Sequence, residues 1–173
     1  MNKDLTDEIF QSQTHGILTI SEIIDKIKRF LEERPTSEYS LVIGTDSHEK
    51  RVSERKTGST INLVTAILIH RKGFGGKYFW RKKQQRNIHS LREKIYSETL
   101  ESLTFAAIFV PLFKKSLNGH SPNYKLEIHV DVGEHGDTRE MIKEVVGMVT
   151  GYGYVAKTKP DAYAASYVAD KHT

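Results

Sequence analysis

The hydrophobic positions of this chain recur with two different periods, which predict an alternation of strands and helices. Apolar residues three and four positions apart predict helices over 20–31 and about 88–117, whereas strict alternation predicts a strand over 61–69. Shorter apolar runs bounded by turn residues predict two more helices, opening at Asp137 and Pro160, and strands over about 39–46, 78–80, 126–131 and 152–157. The predicted order is one helix followed by β-β-β-α-β-α-β-α.

The start of the first helix carries a clear local signal. Thr19 and Glu22 have the spacing of a capping box, in which each side chain binds the other residue's backbone amide, and Pro35 marks the end of the helix. Residues 1–18 show no strong period, so we predict an N-terminal arm or short strand there. A length of 173 residues suits one domain with a full core, which we place over 19–173.

Two of the predicted strands run directly into an acidic residue. The aliphatic stretch Leu41–Gly44 leads into Asp46, and the alternating run through Ile128 leads into Asp131. If these strands are parallel neighbours, about 5 Å apart, the two carboxylates stand side by side at one edge of the sheet. Carboxylates that close repel each other unless they share a proton or a cation. The pattern therefore predicts a site for a divalent metal ion.

The composition excludes several classes of protein. The chain has no cysteine, so neither a disulfide framework nor a thiolate zinc site is available. No apolar run approaches the roughly 20 residues of a membrane span, so we expect no membrane partner. The first residues lack the basic and apolar regions of a signal peptide. We therefore expect a cytoplasmic protein.

Positive charge is concentrated in one part of the chain. The net charge is only +4, but the segment from Arg71 to Lys94 holds nine Lys or Arg residues against one acid, Glu93. Aromatic residues, including Trp80, are interleaved with these cations. Cations that contact phosphates and aromatic rings that stack on bases are typical of nucleic-acid grooves. The candidate nucleic-acid contacts are Lys77, Arg81, Lys82, Lys83 and Arg86. Alternatively, the aromatic residues belong to the core and the cations form a solvated rim.

The element order, with acids after the first and fourth strands that follow the opening helix, resembles the ribonuclease H-like fold. Three motifs are similar to those of the YkuK family of bacterial ribonuclease H-like proteins: Ile43-Gly44-Thr45-Asp46-Ser47, Asp131-Val132-Gly133 with Gly136-Asp137-Thr138, and Lys159-Pro160 through Ala164-Ala165 to Val168-Ala169-Asp170. The resemblance covers roughly residues 20–173. It implies an α/β fold with a mixed five-stranded sheet, in which a three-strand antiparallel meander is joined by two parallel strands. Helices flank this sheet, and an extra N-terminal helix precedes it.

The resemblance also implies a catalytic site. Ribonuclease H-like nucleases hold two divalent ions, Mg²⁺ or Mn²⁺, which activate water and stabilise the leaving oxygen in phosphodiester hydrolysis. Their acids come from the first strand, the first long helix, the fourth strand and the final helix. The matching residues here are Asp46, Glu98, Asp131 and Asp170. Two of these matches have alternatives: Glu93 or Glu101 for the long helix, and Asp161 for the last one.

The sequence is compatible with three functions. The first is a metal-dependent nuclease acting on DNA or RNA, in which His48, His129 or His135 assists proton transfer or binds metal. The second is a non-catalytic module that binds nucleic acid through the basic segment. The third is a phosphate-binding protein that uses the glycines of 43–46 and 131–133 as phosphate loops, as in the actin-like ATPase fold.

Overall fold

A seven-stranded mixed sheet runs through the protein and carries helices on both faces. The structure is a computed structural model that describes residues 8–50 and 59–172. Its strands are β1 (Ile9–Ser12), β2 (Gly16–Thr19), β3 (Tyr39–Lys50), β4 (Ser59–Arg71), β5 (Gly76–Ile88), β6 (Tyr124–His129) and β7 (Val155–Lys157). Their order across the sheet is β2-β1-β5-β4-β3-β6-β7. The β3–β6 and β6–β7 pairs are parallel, and the other pairs are antiparallel.

Four α-helices of the described part of the chain cover the sheet, namely α1 (Ile20–Glu33), α2 (Leu91–Ser116), α3 (Ile142–Gly151) and α4 (Ala164–His172). The larger core lies between one face of the sheet and α1, α2 and α3. On the opposite face, α4 packs through Val168 and Ala169 onto Val64, Ala66 and Trp80. Within the described ranges, no helix is both long and apolar enough to cross a membrane.

The antiparallel meander predicted for the middle of the chain is confirmed as β3–β4–β5, with strands longer than the sequence pattern indicated. The strand after Leu41 does not end at Asp46 but continues to Lys50, and the basic segment that follows Trp80 is itself part of β5. Residues 47–50, which follow the predicted strand, are thus also strand, and residues 51–58 lie outside the described residues. Charged residues fit a strand wherever one of its faces meets solvent.

The expected five-stranded sheet is wrong, because the sheet has seven strands. The two additional strands come from the N-terminal segment, where β1 and β2 form a hairpin and β1 pairs with the outer edge of β5. Gly16 takes a φ of +72° where β2 begins, a conformation that costs glycine little. The hairpin thereby covers what would otherwise be an open strand edge.

Three predicted helix starts have different outcomes. The capping box is present, since the Glu22 amide donates to Thr19 Oγ1 at 3.3 Å and the Thr19 amide donates to Glu22 Oε2 at 2.7 Å. The predicted cap at Asp137 is wrong, because a short 3-10 turn over Arg139–Met141 precedes α3 without a side-chain cap. The last helix begins at Ala164 rather than at Pro160.

Candidate functional site

Two buried acids, Asp46 of β3 and Glu98 of α2, are both hydrogen-bonded to Ser47. Asp46 is 7% exposed and Glu98 only 2%. The Ser47 hydroxyl donates to Glu98 Oε1 at 2.6 Å, and the Ser47 amide donates to Asp46 Oδ1 at 2.7 Å. Ser47 therefore orients both carboxylates, one through its side chain and the other through its backbone.

The third carboxylate, Asp131, follows the end of β6, the parallel neighbour of β3. Its Oδ1 atom forms an ion pair with Lys159 Nζ at 2.8 Å. Backbone hydrogen bonds join the two segments that carry this pair: the Lys159 amide donates to the Val132 carbonyl at 2.7 Å, and the Val130 amide donates to the Lys157 carbonyl at 2.9 Å. Lys159 lies in the third motif that resembles the YkuK family, and its sequence context alone indicates no functional role.

The three carboxylates act on one another electrostatically, and we call Asp46, Glu98 and Asp131 the carboxylate cluster. Burial raises the pKa of Glu98 to about 8, and the negative charges of Asp46 and Asp131 add to this rise. The Ser47 hydrogen bond and the Lys94 ammonium, whose Nζ lies 3.7 Å from Glu98 Oε1, oppose it. Burial also raises the pKa of Asp46, and Asp131 contributes to that increase. Glu98 is consequently mostly protonated at neutral pH.

Lys159 belongs to the same electrostatic group. Its contact with Asp131 raises the pKa of the Lys159 ammonium, and Asp46 and Glu98 contribute in the same direction. Lys159 Nζ contacts Asp131 directly, and it interacts with Asp46 and Glu98 through their charges. The site therefore combines three acids with two lysines, Lys94 and Lys159.

Comparison with known proteins places this arrangement in a family. The ribonuclease H-like family model matches residues 22–173, nearly the whole chain. The chain belongs to the ribonuclease H-like family. It is also 32% identical to the uncharacterized protein YkuK of Bacillus subtilis (strain 168), in an alignment that covers 95% of this chain and 96% of that protein. No solved structure shows a significant match. The resemblance identified from the motifs is thus confirmed at the level of the family.

Of the four acids expected from the ribonuclease H-like pattern, Asp46, Glu98 and Asp131 interact electrostatically, and Asp170 lies apart from them. The Asp170 side chain is 74% exposed, and its Oδ1 lies 3.7 Å from His48 Nε2. It is not among the charges that perturb the pKa of Asp46 or Glu98. Its alternative, Asp161, is also exposed.

The long helix supplies Glu98 to the cluster, and the two alternative glutamates have other partners. Glu93 accepts a hydrogen bond from the His89 amide at 2.7 Å near the start of α2. Glu101 is buried and paired with Arg81 Nη2 at 2.7 Å and Lys83 Nζ at 2.8 Å. Neither of them contacts Ser47, the residue that joins Glu98 to β3.

The carboxylate cluster matches a metal ion in donor chemistry but not in its present spacing. Carboxylate oxygens are the ligands that Mg²⁺ and Mn²⁺ prefer, and Glu98 Oε2 is buried with no hydrogen-bond partner among the described residues. Within residues 8–50 and 59–172, however, no three acidic or histidine side chains stand close enough together to hold an ion. The cation that is in place beside Asp131 is the Lys159 ammonium.

The five cations expected to contact nucleic acid lie on both faces of β5. Arg81 is 8% exposed and paired with Glu8 and Glu101, so it is a buried structural residue and no longer a candidate contact. Lys83 lies on the same face, beside Glu101, and Lys77 Nζ lies 5.3 Å from the Phe30 ring. The alternation of the strand places the exposed Lys82 and Arg86 on the opposite face.

The structure also bears on two other hypotheses from the sequence, the phosphate loop over 43–46 and the role of the histidines in proton transfer. Gly44 lies within β3, where it pairs with Ala66 on one side and His129 on the other, so residues 43–46 form a central strand and not a phosphate loop. His129 is buried and bonded to Glu127, and burial lowers the pKa of its imidazole. It therefore serves the packing under α4, whereas His135 is exposed and His48 contacts Asp170.

Proposed function

We propose that this protein is a metal-dependent nuclease that hydrolyses phosphodiester bonds in DNA or RNA. The observation that carries the proposal is the burial of Glu98 beside two other acids. Burying a third carboxyl there costs stability, and acids with strongly perturbed pKa values are concentrated at functional sites. Membership in the ribonuclease H-like family supports the same function.

The residues in and around the cluster would have different roles in such a site. A divalent ion bound there would supply Lewis acidity and an activated water. Asp46, Glu98 and Asp131 would have to move closer together to hold it, and Glu98 Oε2 is an oxygen that is available for a new bond. Ser47 fixes the orientation of both acids. Lys94 and Lys159 would offset the negative charge of an approaching phosphate.

A polar surface on the α4 face of the sheet supports a nucleic-acid substrate. Asp46 pairs with Val64, and Val64 pairs with Lys82, so Lys82 stands in the same cross-strand row two strands from Asp46, roughly 10 Å away. The next row toward the end of the sheet holds three hydrogen-bonding side chains: His48, Asn62 and Gln84. Because Val64 is buried under α4, a phosphate backbone would follow the second of these rows, from Gln84 toward His48.

The test is cleavage of labelled single-stranded, duplex, hybrid and branched substrates with Mg²⁺, with Mn²⁺ and with a chelator. We expect metal-dependent cleavage by the wild type and its loss in Asp46→Asn and Asp131→Asn. Asp25→Asn, a change of an exposed acid on α1, is the matched control and should cleave normally. Cleavage that survives both site substitutions would refute the proposal.

A second candidate is a non-catalytic nucleic-acid-binding module of the same fold. Two observations favour it: the described acids do not close around a common ion position, and Asp170 lies apart from the cluster. Salt-sensitive binding of the same substrates without cleavage by any variant would select this function. The cytoplasmic location remains a prediction under both functions.

A further inference from the structure

Two tyrosine side chains are exposed along one flank of α4. Tyr163, just before the helix, is 50% exposed, and Tyr167 is 59% exposed. The Tyr167 amide donates to the Tyr163 carbonyl at 3.1 Å, so the two residues lie one helical turn apart and their side chains are neighbours. Two large aromatic rings, each about half in solvent, are thus available to a partner on this flank.

A lysine continues the line of the two tyrosines. Lys171 follows Tyr167 by one turn, and its Nζ lies 5.3 Å from the centre of the Tyr167 ring and 5.8 Å from that of Tyr78 on β5. At these distances the ammonium interacts favourably with both rings. We call Tyr163, Tyr167 and Lys171 the tyrosine flank.

The end of α4 is fixed to β5 by aromatic contacts. The His172 ring stacks on the Trp80 ring with 3.6 Å between the ring centres and 11° between the planes, and the Tyr78 hydroxyl lies 3.1 Å from His172 Nε2. Because side chains alternate along a strand, Tyr78, Trp80 and Lys82 follow one another on the same face of β5. Tyr78, with Lys171 beside it, and Lys82 therefore lie on either side of Trp80, so that a cation is present on both sides of the end of the helix.

Exposed rings beside ammonium groups favour a nucleic acid with unpaired bases. Stacking of a base on an aromatic side chain tolerates any sequence, but it requires a base whose face is not covered by its neighbours. Residues one turn apart are separated by about 6 Å along a helix, which exceeds the roughly 3.4 Å between stacked bases of one strand. The two tyrosines therefore suit the bases of an unstacked single strand, whereas a duplex would reach only the ammonium groups through its phosphates.

We propose that the tyrosine flank binds unpaired bases of a single-stranded nucleic acid, with Tyr163 and Tyr167 stacked on the bases and Lys171 on a phosphate. This inference rests on the proposed action on nucleic acid and names the form of the substrate. The bound strand passes the end of α4 at Lys82 and continues along the row of polar side chains that begins at Gln84. The flank thus holds the strand outside the row that leads toward the carboxylate cluster.

The experiment measures binding of a labelled single-stranded oligonucleotide by fluorescence anisotropy, with a chelator present so that no metal-dependent cleavage occurs. We expect Tyr167→Ala to weaken binding by roughly 5- to 100-fold, whereas Tyr167→Phe, which keeps the ring, should bind as the wild type does. Tyr152→Ala, a change of an exposed tyrosine directly after α3, is the matched control. Tyr167→Leu replaces the alanine variant if the latter does not fold.

Two further ligands separate stacking from charge. An abasic oligonucleotide of the same length keeps the phosphates and lacks the bases, and a duplex keeps its bases stacked. Tyr167→Ala should bind both of them as the wild type does, because neither offers a base to the ring. Lys171→Met should weaken binding of all three ligands, since each of them presents phosphates.

Equal affinity of the wild type and Tyr167→Ala for the single strand would overturn the inference, and so would a wild type that binds no single strand. An equal loss on the duplex would overturn it as well. If Tyr167→Ala instead converts a dimer into a monomer without affecting binding, the flank is an interface between two copies of the chain and the inference is wrong. The proposed nuclease function fails separately, if the wild type shows no metal-dependent cleavage; weaker single-strand binding by Tyr167→Ala would still support the flank in that case.

Discussion

The substitution Glu98→Gln tests the electrostatic account of the cluster most directly. Because the pKa of Glu98 rises from an ordinary 4.5 to about 8, the folded protein keeps a proton that the unfolded chain loses between these values. Stability must therefore fall as the pH rises from about 4.5 to 8. At about 1.4 kcal/mol per pH unit, the full effect is on the order of 5 kcal/mol. Glutamine keeps the shape of the side chain and its hydrogen bond from Ser47 but cannot ionise.

The assay is urea denaturation at pH 6 and pH 9 without divalent ions. We expect the wild type to lose about 3 kcal/mol between these pH values relative to Glu98→Gln, because about two pH units of the titration lie between pH 6 and the pKa of about 8. Glu98→Gln should be the more stable protein at pH 9. Glu101→Gln is the control, because it replaces a buried glutamate of the same helix that is paired with Arg81 and Lys83. That variant should lose stability at both pH values, since it removes one of the two acidic partners of the buried Arg81. If Glu98→Gln and the wild type lose stability in parallel from pH 6 to pH 9, the reasoning is refuted.

Three further predictions follow from the same structure. Lys82→Glu and Arg86→Glu should each weaken nucleic-acid binding and lower the slope of log affinity against log salt by about one. The control Lys125→Glu should not. Equal effects of the three substitutions on binding would contradict the proposed surface. Trp80→Ala should destabilise the protein by about 3–5 kcal/mol, measured by circular dichroism, because Trp80 is buried between β5 and α4; a loss below 1 kcal/mol would contradict this packing. Mn²⁺ affinity should rise as the pH approaches 8 and then level off, because the proton on Glu98 competes with the ion; affinity that does not change with pH would contradict that competition.

The sequence alone specified the features that depend on neighbouring residues. The capping box at Thr19 and Glu22 is encoded within four positions, and the alternation in β4 is encoded within its own strand. The acids after two aliphatic runs were likewise visible in the sequence. Because parallel neighbouring strands place their carboxyl ends at the same edge of a sheet, it could be predicted that these acids lie near each other. These signals were sufficient to identify the family and the meander.

Only the tertiary structure decided which side chains meet. Successive residues of an α-helix differ by about 100°, so Glu98 and Glu101 lie about 60° apart around α2, and a modest rotation of the helix would have exchanged their partners. Arg81 is a cation like its neighbours in the basic segment, yet the pairing of β5 places its side chain against Glu101 in the core. Lys159 is distant in sequence from Asp131, and the pairing of β6 with β7 brings the two segments together. Which acid is paired and which cation is exposed depends on how helices and strands pack, and no local pattern records that.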